Sequence, residues 1–299
     1  MSATPPPDDD RLSLRPHPGQ PPVAEYVWRP DLALALAPRP YLHPVRTLAG
    51  TPVTELMPGS HRHHLGASLA VPDVGGGNFW GGRTFLPGRG PVWLDNHGVQ
   101  RHGDWLRRGP QEVAHTLRWI SIDGQTLIDE RRSVAARAVA DDVWALDVGF
   151  SLTNATGRAL PIRSPATQGR AGAGYGGFFW RAASGGRPAR AYGPAGDRLP
   201  DLHGAPADWL AVAGATGGAD WTLVFAGGDD GTRGDPWFVR IRDYVGVGSC
   251  LAWGRPLVVE PGQTVTRRVV TLVADGALPA TRVADLLVAA GPGRAGSGR

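Results

Sequence analysis

Five of the nine histidines fall between Pro58 and Gly103: His61, His63, His64, His97 and His102. All five lie in stretches rich in Gly, Pro, Asn and Asp, which predicts loops, where sites concentrate on a rigid sheet. The segment Pro58-Gly59-Ser60-His61-Arg62-His63-His64-Leu65-Gly66 leads into the apolar run Ala67 to Val71, and His97 and His102 belong to a second polar loop. Three readings fit this spacing. Neutral imidazoles can ligate a divalent metal such as zinc. They can exchange protons and hydrogen bonds with a polyol near neutral pH. Or the loops are polar because loops face water. No His-Glu-x-x-His, cysteine pair or G-x-S-x-G is present to decide by a motif of known geometry. His61, His64 and His97 are the candidate catalytic groups. The cofactor expectation is none, or a divalent metal of unassigned identity.

Two further clusters carry polar and aromatic groups together. Gln168 to Arg181 holds five glycines, with Tyr175, Phe178, Phe179 and Trp180 beside Arg181. It lacks the strand–loop–helix context and the lysine of a phosphate-binding loop. Close approach of backbone to a ligand or a neighbouring strand explains it better. Asp235 to Arg240, followed by Arg242, Asp243 and Tyr244, reads as strand at Pro236–Arg242. Trp237, Val239 and Ile241 then share one face, and Phe238, Arg240 and Arg242 the other. His43, His102, Tyr175, Arg181, Trp237 and Arg240 are the candidate substrate-binding residues. Glu130, Arg131 and Arg132 read as a solvated strand face.

The elements that must position these groups are strands. With 43 Gly and 28 Pro the chain disfavours long helices, while 11 Trp, 7 Phe and 5 Tyr supply a core. Glu112–Ile122, Thr126–Val134 and Val143–Asn154 alternate apolar and polar residues, and Asp123-Gly124 marks a tight hairpin between the first two. Further strands are expected at Trp209–Ala215, Trp221–Ala226, Leu257–Glu260 and Val265–Ala274. Only the stretch near 281–290 has helical spacing. The fold class expected is all-β: a two-layer antiparallel β-sandwich with one short C-terminal helix. Residues 1–22 read as a flexible lead, 23–290 as a single β-sandwich domain, and 291–299 as a flexible tail.

All 31 basic residues are arginine, against 27 acidic ones. They are scattered among aspartates, so no basic block is present to follow a nucleic-acid backbone. No apolar run is long enough for a membrane helix, and the first residues lack the pattern of a secretory signal. The single Cys250 reads as a small buried strand residue. A cytoplasmic protein without nucleic-acid or membrane partners is expected, its oligomeric state open and a homo-oligomer included.

Several segments, in order, carry a family resemblance: Pro40 to Thr47, Gly50 to Thr54, His61 and His64 before Leu65-Gly66, Asn78-Phe79-Trp80-Gly81-Gly82-Arg83-Thr84, Gly172 to Arg181, and Asp235 to Arg240. Over roughly residues 25 to 275 the chain resembles the bacterial PmoA-like family, named after a membrane methane mono-oxygenase subunit. That family's usual segment resembles Asp-His-Pro-Trp/His-His. Here Ser60 and Arg62 stand at its first and third places, so the acidic partner is absent. The resemblance implies a β-sandwich similar to the galactose-mutarotase supersandwich and a carbohydrate context. The resulting expectation is a protein acting on a small-molecule carbohydrate, a sugar or keto-sugar, by histidine acid–base chemistry of epimerase (isomerase) or lyase type. The alternative is a non-catalytic sugar-binding or sensing module.

Overall fold

Val143–Asn154 forms one strand along its full expected length. Trp144, Leu146, Val148, Phe150 and Leu152 all enter the same core, as a two-residue side-chain period requires. The computed structural model describes residues 10–185, 187–194, 196 and 199–291. Within them the expected meander is in register: Val134 stands opposite Val113 on one side and Val148 on the other. It belongs to an eight-stranded sheet running Arg190–Tyr192, Trp209–Thr216, Ala219–Gly227, Thr264–Asp275, Val143–Asn154, Thr126–Ala140, Glu112–Ile120 and Val99–Arg108.

A second sheet has ten strands. Its main path runs Arg11–Leu14, Ala24–Val27, Tyr41–Val45, Ala67–Val74, Gly177–Arg181, Gly246–Cys250 and Trp237–Arg240. A two-stranded ribbon, Thr84–Leu86 with Gly90–Val92, stands apart from both. The strand pairings within the sheets are antiparallel. Phe178, Trp180, Trp237 and Val247 from the ten-stranded sheet meet Leu146, Trp221, Phe225 and Val269 from the eight-stranded one in a single core. The molecule is therefore an all-β, two-layer antiparallel sandwich.

Both outer faces are also partly covered. The helix Ala280–Ala290 lays Val283, Leu286 and Leu287 over Val143, Ala145, Val270 and Leu272 of the eight-stranded sheet. This is why the first residues of Val143–Asn154 are buried on both sides. On the ten-stranded sheet, Ala70, Phe179, Phe238 and Cys250 face outward with Trp80, and Tyr175, Tyr244 and Trp253 pack against them. Cys250 is buried there, and burial pushes its thiol pKa up. This aromatic outer face carries the candidate site.

Four expectations need correction. Arg11–Leu14, inside the expected flexible lead, pairs with Ala24–Val27 and buries Leu14; residues 1–9 and 292–299 lie outside the described residues. His102 is in the strand Val99–Arg108 rather than a loop, because Gly103 and Asp104 are absorbed at an irregular pairing with Glu112–Ile120. Glu130 and Arg132 are not solvated. Period two places them inward between Ile128 and Val134, where the guanidinium meets the carboxylate at 2.6 Å and 2.8 Å. Gln100 joins this pair at 2.8 Å and reaches Leu69 O across the sandwich at 2.8 Å. Finally, Leu199–Leu202 and Asp230–Gly234 are short helical turns, too short for any periodic signal. The second is capped by Asp229, which accepts from Thr232 N at 2.8 Å.

Candidate functional site

The chain from Glu55 to Gly66 doubles back on itself: Met57 N donates to His64 O and Gly66 N to Glu55 O. Two turns close its tip, His61 N to Pro58 O and His64 N to His61 O. They gather three imidazoles, with His61 stacked on His64 at 4.7 Å and His63 edge-on to His64 at 4.8 Å. Gly81 and Gly82 take positive φ beneath them. A Cβ on Gly82 would come within 2.8 Å of His63 Nδ1, so glycine here is what lets the two loops close.

These loops form one wall of a cavity of about 730 Å³ on the outer face of the ten-stranded sheet. His61, His63, His64 and Trp80 line that wall. Tyr175 and the Gly-rich stretch at Arg170–Ala173 form the next, and Phe238, Arg240 and Tyr244 the third. The strand Trp237–Arg240 supplies Phe238 and Arg240 because its alternate residues, Trp237 and Val239, point into the core. Trp80 lies 4.6 Å from Tyr175, and Tyr175 5.6 Å from Phe238, so the floor is continuous aromatic surface.

Arg181 stands behind His64. Its guanidinium takes Glu55 Oε2 at 2.7 Å, donates to His64 Nδ1 at 3.3 Å, and lies 4.3 Å from the Tyr244 ring centre. A guanidinium has no acceptor, so His64 Nδ1 must accept. Neutral His64 therefore carries its proton on Nε2. Burial, helped by His63, His61 and Arg181, pushes the His64 pKa well below the ordinary imidazole value. Burial and the charge of Arg39 bring His63 down to about 3. His61, more open, is lowered by burial and by Arg181 and Arg240, and its Nδ1 lies 2.9 Å from Ser60 Oγ. Burial raises the Tyr175 and Tyr244 hydroxyl pKa values, so both remain phenols. Arg39, buried, binds the backbone carbonyls of Leu36, Ala37, Trp80 and His63, locking the loops together. Burial lowers its pKa to about 9.

The arrangement brings together His61, His64, Tyr175 and Arg240, but not every candidate. Arg181 acts on His64 rather than lining the cavity. His97 is buried and donates from Nε2 to Gly82 O at 2.7 Å, holding the loop from behind. His43 bonds Thr54 Oγ1 at 3.0 Å, away from the cavity. Trp237 is a core residue with Nε1 on Ala207 O. His102 belongs elsewhere, its Nδ1 2.8 Å from His115 Nδ1 between Trp28 and Trp105. Loop spacing shows that histidines are near in sequence but not which way their rings point. His63, Trp80, Phe238 and Tyr244 line the cavity without being among the candidates. Phe238 was legible from its alternation with Trp237. Among the described residues, no group of three or more His, Cys, Asp or Glu side chains has a metal-holding arrangement.

A two-sheet sandwich with an aromatic, histidine-bearing cavity on one outer face is the class of protein this geometry defines. The chain belongs to a family of unknown function, DUF6807, which matches residues 17–288. The match carries no support for the PmoA-like name. No curated protein matches the chain. Among solved structures it is similar to a GalM/aldose epimerase homologue from C. elegans, at 9% identity and a TM-score of 0.29, over 58% of this chain and 69% of that one. So slight a likeness decides nothing about function, which has to be read from the chain's own cavity. Among the described residues no helix is long and apolar enough to cross a membrane.

Proposed function

We propose that the cavity binds a small saccharide and catalyses proton transfer next to a carbonyl of a keto-sugar, the step shared by epimerisation and β-elimination. The observation that carries this reading is the pairing of a neutral, open imidazole with fixed donors in one aromatic cavity. His61, neutral at pH 7, serves as the base. His64, held by Arg181 with its proton on Nε2, donates to the carbonyl oxygen and stabilises the enolate as it forms. The phenol of Tyr244 is a second donor. Trp80, Tyr175 and Phe238 border the cavity and supply the apolar aromatic surface on which sugar C–H groups would rest. No Asp or Glu is among the described residues lining the cavity, so the paired carboxylates of ordinary glycoside hydrolysis have no counterpart there.

The test is solvent-deuterium incorporation into 3-keto-glycosides, followed by NMR alongside product formation, with and without added divalent metal. The wild type should exchange the proton next to the carbonyl. His61→Ala should lower that rate by ~100-fold or more with melting temperature nearly unchanged. Sugar binding without exchange in the wild type would instead favour the non-catalytic binding module, and exchange unaffected in His61→Ala would remove His61 from its role.

A further inference from the structure

The charge around the cavity is one-sided. Arg62 comes from the histidine loop, Arg83 from the turn after Gly82, Arg170 from the glycine-rich stretch and Arg240 from its strand. Four separate segments thus each bring a guanidinium to one opening. Arg240 is matched by Asp243 at 2.6 Å. Among the described residues, no ion pair joins Arg62, Arg83 or Arg170 to a carboxylate, and all three are exposed. Unpaired arginines also occur elsewhere on the surface, as at Arg101, Arg118 and Arg131, but here they ring one concavity whose lining, among the described residues, holds no Asp or Glu. Uncompensated like charges around one concavity raise its potential and concentrate anions there. A guanidinium fork also matches the oxygens of a carboxylate or phosphate.

We propose that the ligand is an anionic sugar, carrying a carboxylate or a phosphate ester that Arg62, Arg83 and Arg170 hold at the mouth while the ring lies on Trp80, Tyr175 and Phe238. This rests on the saccharide reading and narrows it to a substrate class. The aromatic floor accounts for the sugar, and the arginine rim for the charge. Trp93, exposed at the same mouth, gives a fluorescent reporter beside the rim.

The experiment is a calorimetric titration of the full chain with glucuronate and galacturonate, the 6-phosphates of glucose and galactose, the neutral parent hexoses, and inorganic phosphate. The charged sugars of one arm, uronate or phosphate ester, should bind at least about tenfold more tightly than their neutral parents, and the gap should narrow as salt is added. The arm that binds identifies the source of the charge. The double variant Arg62→Gln/Arg83→Gln should lose most of that advantage while keeping the neutral affinity and the melting temperature, because both side chains are exposed. Equal binding of charged and neutral sugars would overturn the inference and leave the saccharide reading intact. Inorganic phosphate binding as tightly as the sugar phosphates would show an anion site without sugar recognition, also against it. Failure of every sugar, charged or neutral, would overturn both.

Discussion

At His64 the protonation pattern is fixed by a neighbour that can only donate. Arg181 is itself held by Glu55, so a carboxylate on one side of the hairpin sets which nitrogen of the His64 imidazole carries the proton. His61 has no such constraint, and its pKa is lowered first by burial and then by Arg181 and Arg240. As the base it works when neutral. Its pKa lies below the ordinary 6.5, so kcat/KM should be level at pH 7 and fall only at pH values under 6.5. Arg240→Gln removes one of the charges that depress it, and the acidic limb should move up toward 6.5. A limb that stays put or moves down in that variant would mean another group titrates. The histidine cluster was legible because three imidazoles within four residues are unusual. The roles within it were not. His97 looked equivalent to His64 in sequence, yet a bridge between its backbone and Asn78 turns its ring to Gly82 O. Arg181 looked like a substrate group, yet it spends its donors on Glu55 and His64.

Among the elements, those with a strong two-residue period were the readable ones. Val143–Asn154 matches its expected bounds, and Phe150 on it is buried in the central core. Phe150→Ala should cost ~3–5 kcal/mol of unfolding free energy, measured by urea denaturation. A loss under ~1 kcal/mol would mean the position collapses freely and the packing is loose. The same period misled where charge was taken as a sign of water. Glu130 and Arg132 sit on the inward face with Ile128 and Val134, and the ion pair is tolerated because Trp119, Gln100 and each other's hydrogen bonds satisfy it. Short elements such as Arg11–Leu14 and Asp230–Gly234 have too few residues to show any period. They exist because tertiary partners are waiting for their backbone groups.

For the molecule as a whole, the two-layer sandwich was legible from breaker density and alternation, but the order of strands was not. Gly177–Arg181 lies between Ala67–Val74 and Gly246–Cys250, neighbours far off in sequence, and it is this order that assembles the cavity from four segments. The fold also buries imidazoles in their neutral form. His63 falls to about 3 and His115 to about 2, chiefly through burial, and His64 is lowered as well. With folded pKa values depressed below the unfolded 6.5, the stabilising contribution is fully present above pH 6.5 and is lost as pH falls through the acid range. Between that value and about pH 5, each buried histidine costs up to roughly 2 kcal/mol. The urea midpoint should therefore fall from pH 7 to pH 5, and His115→Gln should flatten the slope. A midpoint that does not change over this range would show that the imidazoles are not held neutral.

Both the sugar chemistry and the anionic-ligand proposal require a sugar ring to lie against Trp80, Tyr175 and Phe238 below the three histidines. Saturation-transfer NMR with the charged and neutral saccharides looks at that contact itself, because only protons touching the protein gain signal. Transfer should concentrate on the C–H groups of one ring face of a bound sugar, disappear in Trp80→Ala and Phe238→Ala, and persist in His97→Gln. Transfer to no saccharide, or transfer that survives both aromatic substitutions, would contradict a ring bound on this floor.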